Sequence, residues 1–280
     1  MWGIFVVIVL GLVQGASEFL PISSSGHLVV LYNIFDIKGD TILLSIILHI
    51  ATLLAVLVCY RKQIFELIKK PFCTTNRKLI VATIPTVIIA LLLKNVVENS
   101  FGGDFVIYGF LITAIILIIS QNIESGRNNN KNNEFLSKTN NIQYNNITNI
   151  GVGYGQAVLI GVAQGLAIFP GISRSGSTIA TGLLSGVNKN DAADFSFLLS
   201  IPVILGGLVF ELKDIVKYGA DLSFNLGELF VGFVVAFISG LLAITVMLKL
   251  VKNKKLTGFS IYLFLLVLFL MLNKFVLGWF

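Results

Sequence analysis

The sequence predicts an all-α integral membrane protein, a polytopic helical bundle built from two inverted-topology repeats, each with a re-entrant helical hairpin. Three observations lead there. Of the 280 residues, 56 % are hydrophobic and only 12 % are charged, with a mean hydropathy of +0.91, a balance that calls for lipid as solvent. Six apolar runs, at 41–60, 79–93, 105–120, 195–210, 229–248 and 258–278, come close to the roughly 20 residues a helix needs to cross the hydrocarbon core. Two polar strings, GLVQGASEFLPISSSGH from Gly11 and GVAQGLAIFPGISRSGS from Gly161, repeat one pattern at an offset of 150.

The elements follow in order. Trp2 to Val13 is apolar but lacks a basic leading segment, so it belongs to the fold rather than to a signal peptide. Asp40 lies outside, because residues 41–60 run inward to a loop rich in Arg61, Lys62, Lys69, Lys70, Arg77 and Lys78, and basic loops face the cytoplasm. The same rule places Lys249, Lys252, Lys254 and Lys255 inside. Counting from these two loops puts 122–150 and 186–194 inside and 211–228 outside. Residues 151–185 must then leave the cytoplasm and return in about 35 residues, too few for two crossings. A re-entrant hairpin fits, with PGISRSGST (170–178) as its turn, and residues 1–39 form a matching hairpin entered from outside.

The positive charge, +6 overall, sorts into loops and describes topology, with no nucleic-acid face. Cys59 and Cys73 read as two free thiols. Pro85 and Pro202 read as kinks within spans. Glu211, Lys213 and Asp214 read as the surface end of a helix without a function.

The two strings share eight of seventeen positions, Gly11/Gly161, Gln14/Gln164, Gly15/Gly165, Phe19/Phe169, Ile22/Ile172, Ser23/Ser173, Ser25/Ser175 and Gly26/Gly176. Shared Gln, Ser and Gly are not what apolar bias produces, so the halves are duplicates. Residues 1–121 form the first repeat and 151–280 the second. Residues 122–150, with eleven asparagines up to Asn149, form a hydrated cytoplasmic linker. The sequon at Asn146 carries no meaning on that side of the membrane. Inverted repeats with broken helices bring polar turns together near the midplane and aim helix N-termini at an anion.

Ionisable groups held within a membrane are costly and mark function, which singles out Glu18, His27 and Arg174. Arg174 offers a planar fork matched to phosphate, and Ser173, Ser175, Ser177 and Thr178 offer hydroxyls beside Gly171 and Gly176, where backbone N–H groups approach closely. Ser24 and His27 stand three residues apart, on one side of a helical turn, where His27 acts as general base on the Ser24 hydroxyl or stabilises the phosphoryl group it attacks. Glu18, with Gln14 one turn earlier, supplies oxygens to Mg²⁺ or Ca²⁺ bridging a diphosphate. These are parts for phosphoryl transfer to a hydroxyl and then to water. The plain alternative is that Glu18 and Arg174 pair as structural glue, but it leaves unexplained why every polar type collects on two turns. His49, alone in an apolar run, reads as a packed, carbonyl-bonded histidine.

Gln14-x-x-x-Glu18, then Phe19-Leu20-Pro21-Ile22-Ser23-Ser24-Ser25-Gly26-His27, with Pro170-Gly171-Ile172-Ser173-Arg174-Ser175-Gly176-Ser177-Thr178 and Phe195-Ser196-Phe197-Leu198-Leu199-Ser200-Ile201-Pro202, resembles the undecaprenyl-diphosphatase, or bacitracin-resistance, family over nearly the whole chain. The resemblance implies a hydrolase of the cell membrane that converts undecaprenyl diphosphate to the monophosphate and inorganic phosphate, recycling the lipid carrier of cell-envelope glycan synthesis. It implies Glu18 as metal-linked carboxylate with Mg²⁺ or Ca²⁺, Ser24 as nucleophile, His27 as its partner and Arg174, with Ser173, Ser175, Gly176 and Thr178, as phosphate clamp. The choice between serine and histidine as the attacked group stays open. Gln14 stands where many bacterial members carry Glu, which removes a charge from the metal position. The resemblance further implies a site open to the outer face, a prenyl tail left among membrane lipid, and a homodimer. A transporter reading, in which the same midplane site flips a polyprenyl phosphate, stands beside the enzyme reading, and an aligned nucleophile and base is what separates them.

Overall fold

The computed structural model describes residues 2–37, 41–98, 100, 104–134, 147–218, 224–253 and 256–278. They form eleven α-helices: α1 (Trp2–Phe19), α2 (Ser24–Ile34), α3 (Ile42–Cys59), α4 (Arg61–Lys69), α5 (Thr74–Glu98), α6 (Asp104–Glu134), α7 (Tyr154–Leu166), α8 (Arg174–Leu184), α9 (Lys189–Tyr218), α10 (Leu226–Asn253) and α11 (Thr257–Leu272). Six of these are long and apolar enough to cross a membrane, over Ile42–Cys59, Thr74–Val97, Phe105–Ser125, Lys189–Lys217, Leu226–Val251 and Thr257–Leu277. Each matches one of the six apolar runs to within a residue or contains it, so the chain is a multi-pass helical membrane protein.

The order of helices repeats at the offset seen in the sequence. α2 begins at Ser24 and α8 at Arg174, and both have 11 residues. α1, α3, α5 and α6 correspond in the same way to α7, α9, α10 and α11, with the short α4 as an extra. α7 and α8, with 13 and 11 residues, reach only about 20 and 16 Å at 1.5 Å per residue, short of the hydrocarbon thickness.

In lipid, where apolar surface gives no preference for one neighbour over another, close backbone approach decides which helices pair. α1 lies on α10 through Gly11 and Gly15. A Cβ at Gly11 would stand 2.7 Å from Gly232 O, and one at Gly15 would stand 2.8 Å from Gly240 N. α7 lies on α5 in the equivalent way, with a Cβ at Gly161 falling 2.8 Å from Ala82 C and one at Gly165 falling 2.8 Å from Ile89 Cβ. Each half therefore packs its glycine-bearing helix against the other half. Hydroxyls tie these contacts, Thr86 donating to Gly161 O at 2.8 Å and Ser239 to Gly11 O at 3.2 Å. Pro85 and Pro202 sit inside α5 and α9, both of which run on through them. The core is filled by Phe19, Phe110, Phe195 and Phe197, all fully buried.

Part of the asparagine-rich tract expected as a linker lies within the described residues. α6 carries the chain from 122 to Glu134 as helix, and residues 135–146 lie outside the described residues. Just past the apolar run the helix is tied to its neighbours: Gln121 Oε1 accepts from Leu256 N at 2.9 Å, and Glu124 pairs with Lys189 of α9 at 3.0 Å. Cys59 and Cys73 are free, as expected.

Candidate active site

The two polar strings become two turns, 20–23 between α1 and α2 and 167–173 between α7 and α8, and the fold presses them together. Each following helix is capped the same way: Ser23 Oγ accepts from Gly26 N at 3.3 Å, and Ser173 Oγ accepts from Gly176 N at 3.0 Å. Ser175 Oγ donates across to Leu20 O at 3.0 Å. Thr113 of α6 holds the second turn, its Oγ1 donating to Gly171 O at 3.1 Å and accepting from Ser173 N at 3.0 Å. Gly171 adopts φ +87°, in the left-handed region where a side chain is strained, and a Cβ added to Gly26 would stand 2.8 Å from Gly171 Cα. Ser23 holds φ +70° without being glycine, a conformation costing on the order of 1–3 kcal/mol that the surrounding contacts must offset.

Where the turns meet, a cavity of about 270 Å³ opens, lined by Ser17, Glu18, Ser23, Ser24 and Ser25 of the first half and by Gln164, Ser173 and Arg174 of the second. Glu18 is its centre. The residue is 8 % exposed. Its Oε2 accepts from Ser24 Oγ at 2.6 Å and from Gln14 Nε2 at 3.1 Å, and its Oε1 is paired with Arg174 Nη2. Arg174 Nη1 is buried and has no hydrogen-bond partner among the described residues. Because a buried donor left unmet costs about 1–3 kcal/mol, more for a charged group, Nη1 is a ready site for an anion's oxygen. The helix starts at Ser24 and Arg174 add the partial positive charge of two N-termini. An acceptor-rich ligand is what this arrangement suits.

The structure brings Glu18, Ser24, Ser173 and Arg174 together as the sequence suggested, and leaves four expected residues elsewhere. His27 does not reach Ser24. Its Nδ1 bonds Ser23 O at 2.7 Å, and since a carbonyl only accepts, Nδ1 carries the hydrogen; Nε2 then accepts from Tyr262 OH at 2.8 Å. The ring stacks on Tyr262 of α11 and sits edge-on to Phe110 of α6. The three-residue spacing was right for one face, but Ser24 opens the helix and turns back toward α1 while His27 folds onto the cap carbonyl. In the second turn, Ser175 is spent on Leu20 O, Gly176 N on the Ser173 cap, and Thr178, fully buried, on Arg174 O at 3.0 Å and Ser196 Oγ at 2.6 Å. None of the three lines the cavity.

Two cavity residues stand outside the expected site. His49 Nδ1 bonds Ser45 O at 2.9 Å, the packed arrangement expected, but Nε2 stands 4.0 Å from Glu18 Oε2 and the residue lines the cavity. Glu211, read as a surface helix end, also lines it, because α9 continues to Tyr218; its Oε1 accepts from Ser45 Oγ at 2.9 Å. The available signal was register: Ser45 and His49 share a face of α3, one turn apart.

The expected metal position fits poorly. Among the described residues no group of three or more His, Cys, Asp or Glu side chains is arranged to hold a cation. Glu18 is committed at both oxygens, and Gln14 turns its nitrogen, not its oxygen, toward the carboxylate. A metal held at Glu18 would displace these partners and face the guanidinium.

A family model described as Bacitracin resistance protein BacA matches residues 7–269. An undecaprenyl-diphosphatase of Carboxydothermus hydrogenoformans is 41 % identical over 264 residues, 94 % of each chain. One of Alkaliphilus metalliredigens is 38 % identical over 278 residues, covering 92 % of this chain and 94 % of the relative, and one of Methanosphaera stadtmanae is 37 % identical over 285 residues, covering 94 % and 95 %. The family match takes in both turns, five whole spans, most of the sixth and the cavity, and the chain belongs to the bacitracin resistance protein BacA family.

Proposed function

We propose that this chain is an integral membrane hydrolase that cleaves undecaprenyl diphosphate to undecaprenyl phosphate and inorganic phosphate, recycling the lipid carrier of cell-envelope glycan synthesis. The observation that carries it is one constellation: a serine hydroxyl 2.6 Å from a buried carboxylate, beside a guanidinium with a free donor. Ser24 Oγ attacks the terminal phosphorus as its proton passes to Glu18 Oε2. The bridging P–O bond breaks, and the polyprenyl phosphate leaves. Arg174 Nη1 and the first N–H groups of α2 and α8 hold the phosphoryl oxygens as charge shifts onto the leaving phosphate. Water then attacks the serine phosphate, the Ser24 Oγ–P bond breaks as Glu18 returns its proton to Ser24 Oγ, and the inorganic phosphate leaves carrying the water's protons. His27, bonded at both ring nitrogens away from the cavity, orients α2 instead of acting as base. An aligned nucleophile and base has no use in a carrier, so this arrangement favours hydrolysis over flipping.

Loop charge supports a site open to the outer face. Arg61, Lys62, Lys69, Lys70, Arg77 and Lys78 follow α3, while Glu211, which lines the cavity, and its partner Ser45 lie toward the opposite ends of α9 and α3. With three spans per half, the halves insert in opposite senses, and α1–α2 and α7–α8 dip in from opposite sides. The tail stays in lipid while the diphosphate reaches the turns.

The test is phosphate release from undecaprenyl diphosphate by the detergent-purified protein. Ser24→Ala removes one hydrogen bond to Glu18, a loss of about 1 kcal/mol that leaves the fold intact, and lowers kcat by about 10³-fold or more. A Ser24→Ala protein that turns over at the wild-type rate sinks the proposal.

A further inference from the structure

We infer that the divalent cation of this reaction is not held by the protein but arrives chelated to the substrate, so that the species bound in the cavity is a cation–diphosphate complex. The inference rests on the diphosphatase reading above and concerns which partner of that reaction brings the metal.

The donor set argues it. Mg²⁺ and Ca²⁺ take oxygen ligands, and a protein site for them needs carboxylate or carbonyl oxygens free to coordinate. The cavity has two carboxylates, Glu18 and Glu211. Glu18 Oε1 is paired with Arg174, and Oε2 accepts from both Ser24 and Gln14. Glu211 Oε1 accepts from Ser45 at 2.9 Å. The neighbouring amide makes matters worse for a bare cation. A carboxylate only accepts, so the Gln14 group facing Glu18 must be its NH₂, and its oxygen is turned away, buried and unpartnered. Nitrogen-bound hydrogens therefore line the approach to Glu18 on the Gln14 and Arg174 sides. Of the remaining features, the unmet Arg174 Nη1 and two helix N-termini attract anions, and against them the lining offers a cation only the neutral Gln164 Oε1, buried and without a partner among the described residues. A diphosphate reverses the situation, because it brings its own chelating oxygens and Mg²⁺ retains several waters when bound through phosphates. The complex then presents outer phosphate oxygens to the guanidinium, and the cation needs no protein ligand.

The experiment reads metal binding without turnover. The detergent-purified full chain is titrated with Mn²⁺ and the free ion followed by electron paramagnetic resonance, with and without a non-hydrolysable methylene analogue of a polyprenyl diphosphate. The expected result is no stoichiometric binding up to about 1 mM Mn²⁺ alone and one Mn²⁺ per protein once the analogue is present. One Mn²⁺ bound by the wild type alone, and lost in Glu18→Gln, overturns the inference. Gln14→Glu, compared at a wild-type elution profile, puts a second carboxylate one turn from Glu18 and is expected to bind Mn²⁺ without the analogue at least about tenfold more tightly than the wild type. No gain there overturns the part assigned to Gln14. Steady-state rates complete the test: they follow the concentration of the Mg²⁺–diphosphate complex, and free Mg²⁺ added at constant complex changes nothing. Because binding is read without hydrolysis, the metal inference and the diphosphatase reading fail on separate measurements.

Discussion

Removing one partner of the Glu18–Arg174 pair should destabilise the protein more than removing both. Glu18 is 8 % exposed, and Arg174→Met strips its guanidinium while leaving only Ser24 and Gln14 as donors. A buried charge that loses its partner costs about 3–5 kcal/mol. The two remaining hydrogen bonds to the carboxylate already exist in the wild type, so they offset none of this. For a chain of this size each kcal/mol moves the midpoint by about 2–4 °C, so Arg174→Met should lower the apparent Tm by roughly 6–20 °C. Glu18→Gln strands the guanidinium in turn. It keeps an acceptor for Arg174, so its shift is expected to be smaller. The double variant leaves neither charge, and the cycle should show a coupling of about 2–3 kcal/mol, the upper end of what contacting residues give. Thermal unfolding in one nonionic detergent, followed by tryptophan fluorescence, reads all four proteins without any activity. Strictly additive midpoints, or an Arg174→Met protein as stable as the wild type, would refute the pairing on which the site is built.

Other outcomes follow from single contacts. His27→Ala should lower stability and turnover together, and Tyr262→Phe should do the same in smaller measure, since it removes the 2.8 Å bond to Nε2; a histidine serving as base on Ser24 would lose turnover alone and ignore Tyr262. His49→Ala, at a side chain 27 % exposed and 4.0 Å from Glu18, should cut kcat by about tenfold with little change in Tm, as loss of a polar group beside the base rather than of a packing element. Gly15→Val should cost at least about 1–3 kcal/mol by forcing α1 off α10, where a Cβ already stands 2.8 Å from Gly240 N, and should be read as a lower Tm with proportionate loss of activity. Gly171→Ala, at φ +87°, should destabilise by about 1–2 kcal/mol while Gly155→Ala, on an open helix face, should not.

The six spans were legible because hydropathy and length are local properties, and each apolar run became one span. The pairing of the turns was legible because a repeated string of Gln, Ser and Gly survived at one offset. What escaped depended on rotation about helix axes. His27 and Ser24 share a face by spacing, but one ring folds onto Ser23 O and the hydroxyl turns to Glu18. His49 was correctly read as carbonyl-bonded, yet that bond uses only Nδ1 and aims Nε2 at the cavity. Glu211 looked terminal because the apolar run stops at 210, whereas α9 continues to Tyr218 and carries the carboxylate back over the site.

Positions shared by the halves and positions that differ divide the work between them. Gly11/Gly161 and Gly15/Gly165 set the close helix contacts, and Ser23/Ser173 cap α2 and α8 with the same bond to Gly26 or Gly176. Those pairs build the scaffold, and they are identical. The chemistry lies where the halves diverge. Glu18 corresponds to Ile168, and both line the cavity, but only one can take a proton. Ser24 corresponds to Arg174, each the first residue of its helix, so the same geometric position supplies a hydroxyl from one side and a guanidinium from the other. A symmetric site would place two carboxylates or two guanidiniums against each other at this burial, and either pairing of like charges would be costly. Divergence at these two positions converts that repulsion into the Glu18–Arg174 ion pair, which holds the turns together and leaves one guanidinium nitrogen free for the ligand. The two turns thus build one cavity through the positions where they differ, held in register by the positions where they agree.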